Sequence, residues 1–218
     1  MPVSYSRLAN SYRLGMGLTG FTHCLENWIK RLPIRIPLNA KILDVGCGTG
    51  ILGISMKKSF PKSIVLATDL EEKFFTNIRK HIARYNFPSR EFHVGIADIN
   101  LPEHVFSLDT RTNLFLNPET FDVVIVGAAL GYSDNPAQSI LQLLKLVKTG
   151  GYFIDVEMSE NITSRTLSRF FKYKKPGIVR IINILNENGC VIERIPFSLT
   201  ELSAGLSRVG IIARKDSV

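Results

Sequence analysis

From residue 41 to residue 156 the chain alternates between two hydrophobic periods. Short apolar runs, Lys41–Val45, Ser63–Thr68, Glu91–Gly95, Phe121–Gly127 and Gly151–Val156, read as buried strands. Between them, about Ile51–Ser59, Glu71–Tyr85 and Pro136–Val147 carry helical spacing. This alternation predicts an α/β fold with a doubly wound, mostly parallel sheet. Asn135 before Pro136 supplies an N-cap and a proline at the first helical position, and Thr149-Gly150-Gly151 closes that helix with residues that tolerate positive φ.

After Val156 the pattern changes. A basic helical stretch starts near Ile162 and breaks at Pro176, followed by strands over Gly189–Phe197 and Leu206–Arg214. With no long helix between them, the last two strands predict an antiparallel C-terminal hairpin. Residues 101–120 show little period and read as an insertion. Residues 1–40 read as one or two helices, clearest over Leu25–Leu32, forming an N-terminal helical lid or substrate cap ahead of a ligand-binding domain over residues 41–218.

The strand Lys41–Val45 runs directly into Gly46-Cys47-Gly48-Thr49-Gly50, which opens a helix. Glycines there let backbone approach a ligand at the carboxyl end of a parallel sheet. Counted from Gly48, the segment fits G-x-G-x-x-G through Gly50 and Gly53, with Asp69 standing 19 residues beyond Gly50, so a dinucleotide site is one reading. Asp44 argues for the other, because a carboxylate at the strand end repels a phosphate and attracts a cation.

The run Leu43-Asp44-Val45-Gly46-Cys47-Gly48-Thr49-Gly50 resembles the first motif of the class I methyltransferases, which use S-adenosylmethionine, a cofactor with a sulfonium, an amino group and no phosphate. The resemblance extends over roughly residues 41–214 and implies a seven-stranded sheet. It implies cofactor contacts from Asp44, Gly46, Cys47, Gly48 and Gly50, from Asp69 and Leu70 at the ribose, from Asp98 and Ile99 at the adenine, and from Gly127. S-adenosylhomocysteine would be the product. Structural readings stand beside these: Asp69 with Glu72 as a capping box, and Asp98 before Leu101-Pro102 as a turn former.

Methyl transfer from a sulfonium is an in-line displacement that depends on positioning the acceptor. Family members that methylate exocyclic amines often carry Asn/Asp-Pro-Pro-Tyr/Phe after the fourth strand; here the stretch is Gly127-Ala128-Ala129-Leu130-Gly131-Tyr132. The substitution favours a small-molecule acceptor, a hydrophobic or anionic metabolite methylated on O, C or N. An RNA or protein methyltransferase and a non-catalytic scaffold are the alternatives. Tyr5 and Tyr12, in a lead-in similar to that of small-molecule methyltransferases, join His23 and Tyr132 as the expected substrate-side residues. His23, as the candidate general base, and Tyr132 are the candidate catalytic groups. The plain reading of Tyr5, Tyr12 and His23 is packing within the lid. Asp155 or Glu157, near the end of the fifth strand, would accept a proton or bind a cation.

Composition narrows the partners. The chain has 218 residues, 45% hydrophobic and 21% charged, which excludes disordered, collagenous and coiled-coil classes. Its longest apolar run, Val123–Leu130, is far shorter than the roughly 20 residues of a bilayer span, so the expected location is cytoplasmic. One acid, Glu26, against five basic residues in the first 40 gives that end a faint organelle-targeting bias. Cys24, Cys47 and Cys190, and the histidines at 23, 81, 93 and 104, have no disulfide or metal-ligand spacing, and no metal is expected. With 27 Lys and Arg against 19 Asp and Glu, the net charge of +8 favours anionic partners. Arg165–Lys175, interleaved with Phe170, Phe171 and Tyr173, is the candidate surface for RNA or an anionic membrane, or else a helix with aromatics inside and lysines in water.

Overall fold

The computed structural model describes residues 20–216. After α1 (Phe21–Lys30) come β1 (Lys41–Val45), α2 (Ile51–Ser59), β2 (Ile64–Asp69), α3 (Phe75–Arg84) and β3 (Phe92–Ile96). A hairpin of β4 (His104–Ser107) and β5 (Asn113–Phe115) leads to β6 (Phe121–Val126), α4 (Pro136–Leu146) and β7 (Val147–Met158). The chain ends with α5 (Ile162–Phe170), α6 (Ile178–Glu187), β8 (Cys190–Ile195), the short α7 (Leu202–Gly205) and β9 (Arg208–Lys215).

The strands form one mixed sheet in the order β5-β4-β3-β2-β1-β6-β7-β9-β8. From β3 to β7 all neighbours are parallel. The strand order reverses at β1, which pairs with β2 on one side and β6 on the other, and that switch point opens a crevice at the carboxyl ends of the strands. β9 inserts antiparallel between β7 and β8, the expected C-terminal hairpin. The expected seven strands become nine because residues 101–120 form β4 and β5. Strands of four and three residues, the second wholly exposed, are too short and too polar in setting to show a period.

Each face of the sheet carries its own core. Ile42, Val65, Val123 and Ile154 pack with α1, α2 and α3; Leu43, Val124, Phe153 and Ile211 pack with α4 and α6. The alternation of Ile42 and Leu43 between the two is the two-residue strand period. α1 starts four residues earlier than its pattern suggested and docks through Phe21, Cys24, Leu25, Trp28 and Ile29. Trp28 is fully buried, donates from Nε1 to the Ile195 carbonyl at 2.9 Å, and stacks on Phe197 at 5.4 Å.

Candidate functional site

Behind β1 the loop folds back on itself, with Gly46, Gly48 and Gly50 at φ of 60°, 51° and 77°. Gly50 caps α2 at its N-terminus. Asp44 is buried, and its Oδ2 accepts a hydrogen bond from the Gly53 N–H at 2.8 Å. Gly53 lies in the first turn of α2, where N–H groups have no helical partner. A Cβ on Gly53 would stand 2.7 Å from that same oxygen, so this glycine is set by Asp44 and not by an approaching pyrophosphate. Burial raises the Asp44 carboxyl to about 7, against the lowering effect of the Gly53 bond and with a further push from the charge of Asp69.

Asp69 ends β2 and ties the loop from the other side. Its Oδ2 accepts from Gly48 N–H at 2.8 Å and its Oδ1 from Glu71 N–H at 3.0 Å. The capping box with Glu72 does not form: Glu71 is the cap residue of the 3-10 turn Glu72–Phe74, without a side-chain bond. Burial is the main cause that raises the Asp69 pKa, opposed by its backbone donors. Asp98 does make a turn, its Oδ1 accepting from Asn100 N–H at 2.8 Å and Asn100 Nδ2 at 2.9 Å. Asn100 in turn accepts from Ser133 Oγ at 2.8 Å and Asp134 N–H at 3.0 Å, joining the loop after β3 to the loop after β6. Asn100 is absent from the sequence-derived site, although Asp-x-Asn is itself a turn signal.

Two adjoining cavities follow from this frame. A cleft of about 280 Å³ is lined by Gly46, Gly48, Asp69, Leu70, Asp98, Ile99 and Gly127, together with Glu71, Phe74 and Asn100. Among the described residues three acids and no basic residue face it. A smaller chamber of about 80 Å³ takes Asp44 and Cys47 on its inner side, Phe21 and Leu25 from α1, and Met158, Phe171 and Arg208. Gly50 lines neither. Gly46, Gly48, Gly127, Ala128 and Tyr132 wall both cavities. Tyr132 is held by donating to the Phe171 carbonyl at 3.3 Å and by an edge-on contact with Tyr173 at 5.1 Å.

The structure does not bring every expected residue here. Tyr5 and Tyr12 lie outside the described residues. His23 is exposed on α1, bonded to Asn27 at 3.1 Å, and lines neither cavity. Its neighbours Phe21, Cys24, Leu25 and Trp28 take the inward stripe of the helix and leave His23 outside. On β7, Val156 and Met158 line the chamber, so Asp155 and Glu157 alternate to the opposite face of the sheet and meet no acceptor. Asp155 is 0% exposed, and neither of its carboxylate oxygens has a hydrogen-bond partner among the described residues. Burial first, then the charge of Glu157, pushes it well above the usual carboxylate range, with Arg208 opposing. Glu157 accepts from the Tyr173 hydroxyl at 2.7 and 2.6 Å, and its pKa is also raised by burial. Arg208, which no motif signals, is brought to the chamber because β9 pairs it with Met158.

The donor set fits S-adenosylmethionine. Among the described residues the acid-lined cleft has no basic residue, so it repels a pyrophosphate but offers acceptors to ribose hydroxyls and an adenine amine, and buried Asp44 lines the adjoining chamber.

Known proteins resemble this chain in sequence and in fold. A family described as a methyltransferase domain matches residues 38–195. The ubiquinone biosynthesis O-methyltransferase of Aliivibrio fischeri is 32% identical over 124 residues, 57% of this chain and 46% of that enzyme. The demethylmenaquinone methyltransferase of Chlorobaculum parvum is 24% identical over 193 residues, 88% of this chain and 71% of that enzyme. A solved structure of a SAM-dependent methyltransferase from Thermotoga maritima matches with a TM-score of 0.68 and 16% identity, over 97% of this chain and 98% of that one, a likeness of fold. The chain spans under half the length of several of the curated relatives it matches.

Proposed function

We propose that this chain, which belongs to the methyltransferase domain family, transfers the methyl group of S-adenosylmethionine to a small hydrophobic or anionic metabolite. The observation that carries the reading is the meeting, at one wall of Tyr132 with the Gly127-Ala128 turn, of an acid-lined cleft and a chamber where Phe21, Leu25, Met158 and Phe171 stand beside Asp44 and Arg208. Relatives named for ubiquinone and menaquinone chemistry support an acceptor of that class.

Bound in the cleft, the cofactor supplies an electrophilic methyl group. Asp69 and Leu70 hold the ribose, Asp98 and Ile99 the adenine, and Asp44 with the glycine loop the amino-acid end. Tyr132 orients the acceptor where the cavities meet, and positioning of this kind accounts for much of such a rate. Phe21 and Leu25 cover the acceptor from the α1 side and exclude water, the role expected of residues 1–40. Arg208 meets an anionic substituent on the acceptor. The site takes its charge from these residues and not from His23.

Incubation with methyl-labelled S-adenosylmethionine and a panel of phenols and carboxylated quinone precursors tests the proposal. Label should pass to at least one of them, and Arg208→Met should raise KM for anionic acceptors more than for neutral ones. Tight S-adenosylhomocysteine binding with no turnover on any acceptor would favour the scaffold alternative instead.

A further inference from the structure

The basic stretch Arg165–Lys175 divides when folded. Phe171 and Tyr173 are buried, which leaves Phe170 as its exposed aromatic. α5 packs inward through Ser164 and Ser168, so its outer face presents Ile162, Arg165, Arg169 and Phe170. Ile162 is 81% exposed and Phe170 59%. They stand eight residues apart, roughly 12 Å along the helix, with the two arginines between them.

A second apolar group adjoins the first. Asn161 Nδ2 donates to the Leu206 carbonyl at 2.8 Å, and Ser164 Oγ to the Ser207 carbonyl at 3.1 Å. Leu206 follows Leu202 by one turn of α7, Leu199 precedes it in the adjoining 3-10 turn, and these leucines are 50%, 56% and 90% exposed. This surface borders the acceptor chamber, because Phe171 and Arg208, which line it, follow Phe170 and Leu206 by one and two residues.

We propose that the exposed face of α5 with the Leu199–Leu206 turn docks the protein on an anionic lipid surface, beside the mouth of the acceptor chamber. The aliphatic side chains suit the acyl boundary, and Arg165, Arg169 and Lys172 suit the headgroups. They do not suit an RNA, since four of the five exposed apolar residues have no ring on which a base can stack. Residues 1–19 carry Arg7 and Arg13 and no acid, so as a cover they would set positive charge on positive charge. Among the described residues no helix is long and apolar enough to cross a membrane. The placement beside the chamber rests on the acceptor reading above; the lipid contact does not.

Co-sedimentation of the full chain tests this, with vesicles of phosphatidylcholine alone and of phosphatidylcholine and phosphatidylglycerol in equal parts. The protein should bind the mixed vesicles, release as salt is raised, and leave the neutral ones in solution. Ile162→Glu/Phe170→Glu and Arg165→Gln/Arg169→Gln should each weaken partition roughly tenfold or more. Both variants should keep their unfolding temperature and their response to S-adenosylhomocysteine. Absent binding, equal binding to both vesicles, binding of a short single-stranded RNA in place of vesicles, or a dimer dispersed by the Ile162→Glu/Phe170→Glu pair would each overturn the proposal. Failure of the acceptor reading would show separately, as intact vesicle binding without methyl transfer.

Discussion

Asp44 and Gly53 define each other: the carboxylate oxygen accepts the glycine's N–H at 2.8 Å, and a Cβ at Gly53 would crowd that same oxygen at 2.7 Å. The acid at the end of β1 is therefore the anchor of α2 and, once ionised above its pKa of about 7, a negative charge in the chamber wall.

Asp44→Asn separates those roles, since an amide oxygen still accepts from Gly53. An acid whose folded pKa is raised to about 7 contributes stability at low pH and loses it as pH climbs from its unfolded value, about 4. The asparagine variant should thus equal or exceed the wild type in unfolding temperature at about pH 8. Its affinity for S-adenosylmethionine should fall at least tenfold, roughly one lost charge interaction, in titration calorimetry.

At Asp69 the carboxylate supports the glycine loop and faces the cleft. Asp69→Ala should weaken S-adenosylhomocysteine binding by roughly ten- to a hundredfold. The shift in unfolding temperature produced by saturating ligand should shrink accordingly, while the ligand-free protein remains folded.

Asp155 carries a different expectation, because its buried oxygens have no hydrogen-bond partner among the described residues. Its raised pKa means that stability present at low pH is lost as pH rises. Asp155→Asn should flatten the decline in stability measured by denaturant unfolding between about pH 5 and about pH 8. An unchanged slope would show that Asp155 does not bear this cost.

Gly210 lies under the Trp28 indole, which is fixed by its bond to Ile195 and its stack on Phe197. A Cβ there would collide with Cζ2 of that ring. Gly210→Ala should cost about 1–3 kcal/mol, several degrees in thermal unfolding, and should loosen α1 from the chamber it walls.

How far the fold was legible depends on how local its signals are. β1, the glycine loop and α2 are encoded within 19 consecutive residues, and α2 spans Ile51–Ser59 as its period indicates. β4 and β5 are too short to show a period and exist by pairing along the edge of β3. His23 looked functional by residue type, but the phase of α1 turns it outward. Asp155 and Glu157 sit at the right strand and on the wrong face. Arg208 reaches the chamber by the register of β9 on β7, which joins positions 50 residues apart that no local spacing links.

The most direct test of the account is thermal unfolding of the purified protein with saturating S-adenosylhomocysteine and, in parallel, with NAD. At about a hundred times its dissociation constant a ligand adds roughly 2.7 kcal/mol, several degrees for a chain of this size. The account predicts a shift with S-adenosylhomocysteine that Asp69→Ala diminishes, and none with NAD. A shift with NAD alone would contradict it.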